Sequence, residues 1–369
     1  MKLLHLSDTH LGFSEYHKVD PVSGLNQREQ DFYNAWQQVM DAIEQHQPDV
    51  VVHAGDLFHT PRPSNRAIHV AMSSFQRLSD AGIPVVLIAG NHETPRIRTT
   101  GSIFESLALF PNVYAAFSSR YERFDIQDVA FHCVPHCSLT EELDAALQDL
   151  AQADKRSRNV LVSHGAWGGT EYGTGEFNEQ RLPDIEAASG TDFDYIALGH
   201  YHRYVEVKEN ACYSSSTERT SLNEHNSTCG YLLVDVESGE RTYMELQTRP
   251  MIKLPVVDCQ PLSATAILQR VEAAVTPELD GAIVQLVLQN ISDDAFLKLD
   301  IRAIDDLFKS SFYVEKQLFR HVRNQTQLAS QARFESLPVE FERYLQDVEH
   351  IELDKKRLAT LAASYLEMD

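Results

Sequence analysis

The sequence predicts an α/β fold in which two mixed β-sheets are flanked by helices. Two observations predict it. Short apolar runs alternate with amphipathic stretches through the first half of the chain, and closely spaced strands then continue to residue 248. In addition, five of the apolar runs end on polar residues that can bind metals, as expected at the carboxyl ends of strands in a sheet of this kind.

The elements follow one another in a regular order. Strands that end on polar residues are predicted at 2–6, 50–54, 85–89, 160–163 and 195–199. Helices are predicted at 27–46, 65–81, 101–110 and 140–153, and further strands at 129–135, 203–207, 211–215, 231–236 and 241–247. The first helix is the clearest, because Phe32, Trp36 and Ile43 recur on one face at helical spacing.

A change of pattern at Pro250 divides the chain. We expect the metal-bearing domain to cover residues 1–249 and a small α/β domain to cover 250–330, with helices at 263–275 and 300–309 and strands at 281–289 and 312–317. Residues 331–369 form a predicted tail of two short amphipathic helices, with Pro338 suited to the first turn of one of them. Such helices dock either on their own protein or on a partner.

Seven residues after the apolar runs are candidate metal ligands. They are Asp8, His10, Asp56, Asn91, His164, His200 and His202. Two carboxylates, one amide and four imidazoles suffice for two divalent cations, with Asp56 as the bridge, and this donor mixture favours Mn, Fe or Zn over Mg or Ca. Any one of them alone is better explained as a turn, a helix cap or a core histidine. The complete set favours a dinuclear centre.

The composition is that of an ordinary globular protein, with 43% hydrophobic residues and no apolar run long enough for a membrane span. The apolar part of the N-terminus is too short for a signal peptide and leads directly into the first ligand motif. The five cysteines are odd in number and scattered, which indicates reduced thiols. We therefore expect a cytoplasmic protein without a membrane partner.

The ligand motifs resemble those of a known family. D-x-H, GD, GNHE, a later His and GHxH are similar to the motifs of the calcineurin-like metallophosphoesterases, and SDTHLG, NQREQDF, HAGDLFHTPRPS, FDYIALGHYH and YSSSTERTSLNE resemble the SbcD nuclease family over about the first 250 residues. Two positions depart from the pattern. Glu93 stands where the family more often has Asp, and Ser215 where Gly is expected, both beside the ligand positions.

The resemblance implies a fold and an activity. The fold would be the calcineurin-like sandwich with a capping domain and a helical tail. The activity would be two-metal hydrolysis of DNA phosphodiesters, both as a double-strand exonuclease and as a single-strand endonuclease, in a nucleoid-associated DNA break-repair complex. The cofactor would be two divalent ions, Mn²⁺ with Fe or Zn as alternatives. The partners would be DNA and a separately encoded SMC-like ATPase of the SbcC type, bound through the C-terminal helices, with a homodimer left open.

Specific residues receive roles from the same resemblance. One ion would be held by Asp8, His10, Asp56 and His202, and the other by Asp56, Asn91, His164 and His200. His92 adjoins a ligand and cannot easily ligate too, so we expect it to stabilise the transition state or protonate the leaving oxygen. His59, in the stretch GDLFH, would orient the phosphate.

The net charge of −22 leaves two interpretations of the substrate open, because DNA-binding proteins normally carry a basic surface. In the first, the metal pair and nearby arginines recognise the phosphate backbone, with Arg62 and Arg98 as substrate-binding candidates and Arg96, Arg203 and Arg219 also close to ligand motifs. In the second, the substrate is a small phosphoester or a phosphoprotein. A non-catalytic scaffold is disfavoured by the complete ligand set.

Overall fold

The structure is a computed structural model that describes residues 1–169, 171–175, 178–321, 341, 345 and 355–366. The chain divides into two compact units. The first comprises Met1–Pro255, Val271–Leu286 and Ile301–Gln317, and the second comprises Val256–Arg270, Val287–Asp300 and Leu318–Asp369. Within the described residues, no helix combines the length and the apolar character that crossing a membrane requires.

The first unit contains the strands and helices of the predicted sandwich. Its strands are β1 (Lys2–Leu6), β2 (Val50–His53), β3 (Val85–Ile88), β4 (Val113–Ala116), β5 (Glu122–Ile126), β6 (Val129–Val134), β7 (Arg158–His164), β8 (Ala166–Trp167), β9 (Arg181–Leu182), β10 (Tyr195–Gly199), β11 (Tyr204–Lys208), β12 (Ala211–Ser214), β13 (Gly230–Asp235) and β14 (Arg241–Glu245). Its helices are α1 (Gln27–His46), α2 (Asn65–Asp80), α3 (Phe104–Leu107), α4 (Thr140–Ala151) and α5 (Ile185–Ser189).

Two six-stranded mixed sheets form the sandwich. Their strand orders are β14-β13-β1-β2-β3-β4 and β11-β12-β10-β7-β6-β5. One buried apolar cluster contains residues from the inner faces of both sheets, including Val52 of β2 and Phe131 of β6. A second cluster joins α1 and α2 to the first sheet, and a third joins α4 and α5 to the second sheet. The predicted fold class is therefore confirmed.

Helix α1 shows how local sequence and packing agree. The side chain of Asn26 accepts hydrogen bonds from the backbone N–H groups of Arg28 and Glu29 and so caps the helix. The side chains of Phe32 and Trp36 are buried, and Trp36 belongs to the apolar cluster that joins the helix to the first sheet. The helix ends at His46, and the next residue, Gln47, has a φ of 47° in the left-handed region.

The topology brings the ligand-bearing strands to one edge. Strands β1, β2 and β3 are parallel neighbours in the first sheet, and β7 and β10 are parallel neighbours in the second. The carboxyl ends of parallel neighbours lie at the same edge of a sheet, and ligands bind there. The loops after β1, β2, β3 and β10 carry six of the candidate ligands, and His164 is the last residue of β7.

Several predicted elements differ from the observed ones. The predicted helix at 101–110 is reduced to α3, because Gly101 precedes it and Pro111 closes the segment behind it. Strands β4 and β5 were not predicted. They lie at the outer positions of the two sheets, where β4 offers only four residues and β5 is largely half-buried, so neither carries a clear alternation of apolar and polar side chains.

The region after residue 250 has the predicted α/β character. Its strands are β15 (Met251–Lys253), β16 (Val257–Asp258), β17 (Ile283–Ile291) and β18 (Tyr313–Arg320), and its helices are α6 (Ala264–Ala273), α7 (Asp293–Lys298) and α8 (Ile301–Leu307). The domain limits at 249 and 330 stay a prediction. A helix at Lys355–Leu366 lies within the expected tail, but the first tail helix and most of residues 331–354 fall outside the described residues.

A fully buried histidine makes the fold sensitive to acid. His5 lies on β1, its Nδ1 is 2.7 Å from the Tyr195 hydroxyl, and burial lowers its pKa from 6.5 to about 3. The unfolded chain takes up this proton near pH 6.5 and the folded chain only near pH 3. The free energy of unfolding should therefore fall as the pH decreases from about 6.5 to about 3, by about 1.4 kcal/mol per pH unit from this group.

Substitution isolates this contribution. In His5→Gln the decrease in unfolding free energy between pH 6.5 and 4.5, measured by urea denaturation, should be smaller than in the wild type by about 3 kcal/mol. His69→Gln, at an exposed position of α2, is the control and should keep the wild-type pH dependence. Equal slopes for wild type and His5→Gln would contradict the prediction.

Candidate metal centre

The candidate ligands lie on sharply turned backbone at the strand ends. Asp8, His10, Asp56 and His200 have φ values of 53°, 44°, 56° and 103°. Residues other than glycine adopt positive φ uncommonly, and such strain gathers at functional sites. The turns bring neighbouring loops into register, since the backbone N–H of His200 donates to both carboxylate oxygens of Asp8 at 3.1 and 3.0 Å.

Glycine is required where the loops approach one another. A Cβ atom added to Gly90 would lie 2.1 Å from Oδ1 of Asp56, and one added to Gly55 would lie 2.3 Å from Nδ1 of His164. Neither approach is compatible with van der Waals contact. The glycines beside the ligands therefore allow the carboxylate and imidazole to reach the centre of the site.

Four of the candidate ligands converge on one position. Oδ1 of Asn91 lies 3.0 Å from Nε2 of His164 and 3.2 Å from Nδ1 of His200. Oδ2 of Asp56 lies 3.3 Å from Nε2 of His164. Two ligand atoms that each lie about 2.1 Å from one cation are about 3.0–3.4 Å apart in octahedral or tetrahedral geometry, which matches these spacings.

A second position adjoins the first and shares Asp56. Nε2 of His10 lies 3.1 Å from Nε2 of His202 and 3.9 Å from Oδ2 of Asp56. Nε2 of His202 is 3.8 Å from Oδ1 of Asp8. The seven candidate ligands thus lie close together, and the carboxylate of Asp56 lies near both His10 and His164.

Hydrogen bonds on the outer side of the rings orient the ring nitrogens that face the centre. Nδ1 of His164 is 2.8 Å from the carbonyl oxygen of Ala54, which can only accept, so Nδ1 carries the proton and Nε2 presents a lone pair to the site. This lone pair faces the amide oxygen of Asn91 and the carboxylate of Asp56. Three acceptor atoms held this close repel one another unless a cation lies between them, so the residues present fit a divalent ion.

Three buried or half-buried glutamates support the ligands, and sequence analysis did not assign them these contacts. Oε1 of Glu224 lies 3.0 Å from Nδ1 of His202, and Oε1 of Glu179 lies 3.0 Å from Nε2 of His200. Oε1 of Glu93 accepts from the backbone N–H groups of Gly90 and Leu57, which ties the loop after β3 to the loop after β2. In the sequence, Glu93 lies in GNHE and Glu224 in YSSSTERTSLNE, whereas Glu179 lies in none of the stretches that resemble the family.

The electrostatics of the histidines follow from burial and their neighbours. Burial and the nearby His92 lower the pKa of His10 well below its usual value, and burial together with His164 lowers the pKa of His200. Burial opposes protonation of His164 as well, but the Asp56 carboxylate outweighs it and raises the pKa of this imidazole. Neutral imidazole is the form that binds metals, so burial prepares His10 and His200 for that role.

The two catalytic candidates lie directly beside His10, in the second position. The ring centroid of His92 is 4.6 Å from that of His10 and 5.0 Å from that of His59. Nδ1 of His92 is 3.1 Å from the carbonyl oxygen of His59, and its backbone N–H donates to Oδ1 of Asp56 at 3.0 Å. His92 is thus oriented by the loop that carries Asp56, with its ring facing the cavity.

A cavity of about 710 Å³ opens beside these histidines. It is lined by His59, Arg62, His92, Arg96 and Asn178 among others. Arg62 therefore lies where a substrate-binding residue is expected. Arg96 lines the same wall, while the side chain of Arg98, the other substrate-binding candidate, lies outside the described part of the structure.

Arg219, unlike Arg62, forms hydrogen bonds that connect segments of the fold. Its Nε donates to the carbonyl oxygen of Ser227 at 2.9 Å and its guanidinium donates to Thr248 Oγ1 at 2.7 Å. These bonds tie the segment after β12 to the end of the sandwich. Although Arg219 is close to a ligand motif in the sequence, it is not among the described residues that line the cavity.

Comparison with known proteins identifies similar chains. Residues 1–204 match the model of the family described as calcineurin-like phosphoesterase. A DNA double-strand break repair protein Mre11 of Haloferax volcanii is 34% identical over 68% of this chain and 53% of its own length. Proteins of the same name from Thermoplasma acidophilum and Halobacterium salinarum are each 30% identical, over 68% and 79% of this chain and 67% and 71% of their own lengths.

The match to the Haloferax protein thus spans about half of that relative. Among solved structures, a dimetal phosphatase from Danio rerio aligns over 63% of this chain and 91% of its own chain, with 11% identity and a TM-score of 0.37.

The crowding at Asp56 predicts the effect of one methyl group. Gly90→Ala should weaken Mn²⁺ binding at least about tenfold, because the added Cβ displaces the carboxylate shared by both positions. Isothermal titration calorimetry measures the affinity, and circular dichroism checks the fold. Gly239→Ala is the control, since an added Cβ there meets nothing within 4 Å. Wild-type Mn²⁺ affinity in Gly90→Ala would contradict the assignment.

Proposed function

Because this chain belongs to the calcineurin-like phosphoesterase family, and within it to the group of Mre11 DNA double-strand break repair proteins, we propose that it hydrolyses DNA phosphodiesters with two divalent metal ions. The activity would be that of a double-strand exonuclease and single-strand endonuclease. The resemblance to SbcD-type nucleases drawn from the motifs is confirmed at the level of this family.

One observation carries the proposal: seven donor side chains form two adjoining groups around the shared carboxylate of Asp56. One group is Asp8, His10, Asp56 and His202, and the other is Asp56, Asn91, His164 and His200. The mixture of imidazole and oxygen donors supports Mn²⁺, with Fe and Zn as alternatives. When bound, two such cations supply Lewis acidity for an in-line displacement at phosphorus.

The protein's own residues perform the remaining tasks. Arg62 binds and orients the substrate phosphates along the cavity wall, and His59 orients the reacting phosphate next to His10. His92 donates a hydrogen bond or a proton to the oxygen on which negative charge develops. The bond between His92 Nδ1 and the carbonyl oxygen of His59 keeps a proton on Nδ1, so Nε2 is the atom available for this transfer.

DNA is favoured over a small phosphoester because of the cavity and the relatives. Arg62 and Arg96 extend cationic character away from the metal positions along a wall that also contains Thr94, Pro95 and Ile97. A small substrate would need only the metal positions, whereas a strand would also occupy this wall. The net charge of −22 still means that non-specific attraction to DNA is weak for the isolated chain.

A partner protein would supply the affinity for DNA that the isolated acidic chain lacks. We place a separately encoded SMC-like ATPase at the C-terminal helices, where Lys355–Leu366 is helical. An amphipathic helix suits recognition by a groove on another protein. Action on DNA implies a nucleoid-associated site of action in the cytoplasm, and a homodimer would present two metal centres to one DNA molecule.

Substitution of His92 tests whether metal binding and catalysis depend on different residues. His92→Ala should retain two Mn²⁺ ions per chain and lose about 10²–10³-fold in kcat, since one donor at a developing charge is typically worth that much. Mn²⁺ stoichiometry is measured by metal analysis after gel filtration and kcat with bis-p-nitrophenyl phosphate. Loss of metal from His92→Ala would show that its role is ligation.

Arg62 distinguishes the two substrate classes. Arg62→Glu should reduce cleavage of duplex DNA ends by at least about tenfold, because reversal of a charge next to a phosphate removes attraction and adds repulsion. Hydrolysis of bis-p-nitrophenyl phosphate should change far less. Arg77→Glu, outside the cavity on α2, is the control for the change in net charge. Equal losses on both substrates in Arg62→Glu would favour the alternative, a phosphoesterase for small substrates.

A further inference from the structure

The outer nitrogen of one candidate metal ligand contacts a carboxylate from a distant loop. Nε2 of His200 lies 3.0 Å from Oε1 of Glu179, while Nδ1 of the same ring faces Oδ1 of Asn91 at 3.2 Å. The His200 side chain is 1% exposed and the Glu179 side chain 9%. A carboxylate accepts but does not donate when ionised, so this contact keeps the proton on Nε2 and leaves the Nδ1 lone pair for a cation.

The same oxygen of Glu179 also holds the glycine-rich segment between β8 and β9. The backbone N–H groups of Thr174 and Gly175 donate to Oε1 at 2.5 and 3.3 Å, and the Thr174 hydroxyl donates to it at 3.2 Å. One carboxylate oxygen therefore joins a metal-ligand histidine to the loop. The adjacent residue, Asn178, lines the cavity beside His92.

The residue after Glu179 fixes its place on the framework. Nε2 of Gln180 donates to the carbonyl oxygen of His164 at 3.0 Å, and its Oε1 accepts from the backbone N–H of Cys137 at 2.6 Å. The backbone oxygen of Gln180 also accepts from Ala166 N–H at 2.8 Å. Glu179 is thus presented from a well-anchored position, while the residues it holds at 174 and 175 have no strand or helix to support them.

We propose that Glu179 is a positioning residue that orients His200 for the cation that Asn91 and His164 would also bind, and that it thereby couples occupancy of that position to the ordering of residues 174 and 175. The coupling is electrostatic. A cation at Nδ1 withdraws electron density from the ring, makes the Nε2–H a stronger donor and strengthens its bond to Glu179, which fixes the carboxylate in the position where it also accepts from the loop amides. This inference rests on the metal centre of the proposed function but not on the identity of its substrate.

Glu224 makes the corresponding contact at the position that contains His10 and His202. Glu224 contacts Nδ1 of His202 at 3.0 Å and also accepts from the backbone N–H and hydroxyl of Thr220, both at 2.8 Å. Each of the two histidines of the GHYH motif is therefore supported by its own carboxylate from its own loop. Removal of one carboxylate should weaken one metal position and leave the other close to wild type.

Mn²⁺ titration tests this selectivity on the full chain. Glu179→Ala should weaken one of the two Mn²⁺ sites by about 10–100-fold, the usual effect of removing such a partner, and leave the other within about twofold. Glu179→Gln, which keeps an oxygen acceptor and the shape, should show a smaller effect. Glu171→Gln removes an exposed carboxylate of the same loop and serves as the matched control. Glu224→Ala should weaken the other site.

Hydrogen exchange of the loop supplies a readout that a purely structural role would not change. In the wild type, Mn²⁺ should slow exchange of the peptide that contains the amides of Thr174 and Gly175. In Glu179→Ala this protection by Mn²⁺ should disappear, while exchange of β7 and β10 remains as in the wild type. Hydrolysis of bis-p-nitrophenyl phosphate by Glu179→Ala should recover at raised Mn²⁺ concentration.

Three outcomes would overturn the inference. Unchanged affinity of both Mn²⁺ sites in Glu179→Ala would mean that Glu179 does not position His200. Equal weakening of both sites, or protection of the loop by Mn²⁺ in Glu179→Ala, would mean that the carboxylate supports the fold without the proposed coupling. Failure of the wild-type chain to bind two Mn²⁺ ions would instead contradict the proposed function, so the two failures are distinguishable.

Discussion

The carboxylate of Asp56 is the constraint on which the rest of the centre depends. Its Oδ2 faces histidines of both metal positions and its Oδ1 accepts the backbone N–H of His92. The group is almost fully buried, and burial raises the free energy of an ionised carboxylate unless other groups compensate. Here the compensation comes from His164, which together with neighbouring histidines holds the pKa of Asp56 well below its usual value.

The backbone around Asp56 places its carboxylate between the two groups of histidines. The turn at Asp56 has positive φ, and Gly90 leaves room for the carboxylate on the neighbouring loop. Glu93, the position where the family more often has Asp, receives N–H bonds from both loops. Burial, followed by the proximity of Asp56, raises the pKa of Glu93 well above its usual value. A longer side chain at this position therefore still bridges the two loops.

The acidic composition of the chain is compatible with DNA as the proposed substrate. Four of the carboxylates that contribute to the charge, Asp8, Asp56, Glu179 and Glu224, face inward or support histidines. Cations in the centre would neutralise part of that local charge. Recognition of a phosphate backbone would then depend on few arginines, and Arg62 and Arg96 stand where such residues are needed.

The sequence alone determined the fold class, the seven candidate ligands and the candidate roles of His59, His92 and Arg62. It could do so because apolar periodicity is local and because a ligand must follow a strand end, so both signals lie within a few adjacent residues. The tertiary structure decided what depends on contacts between distant segments. Tertiary contacts bring the ligands together around Asp56 and place Glu179 beside His200 and Glu224 beside His202. They also place Arg219 where it donates hydrogen bonds to Ser227 and Thr248. A glutamate in a glycine-rich loop carries no local mark of its partner, since that partner is set by how the loop returns across the strand ends.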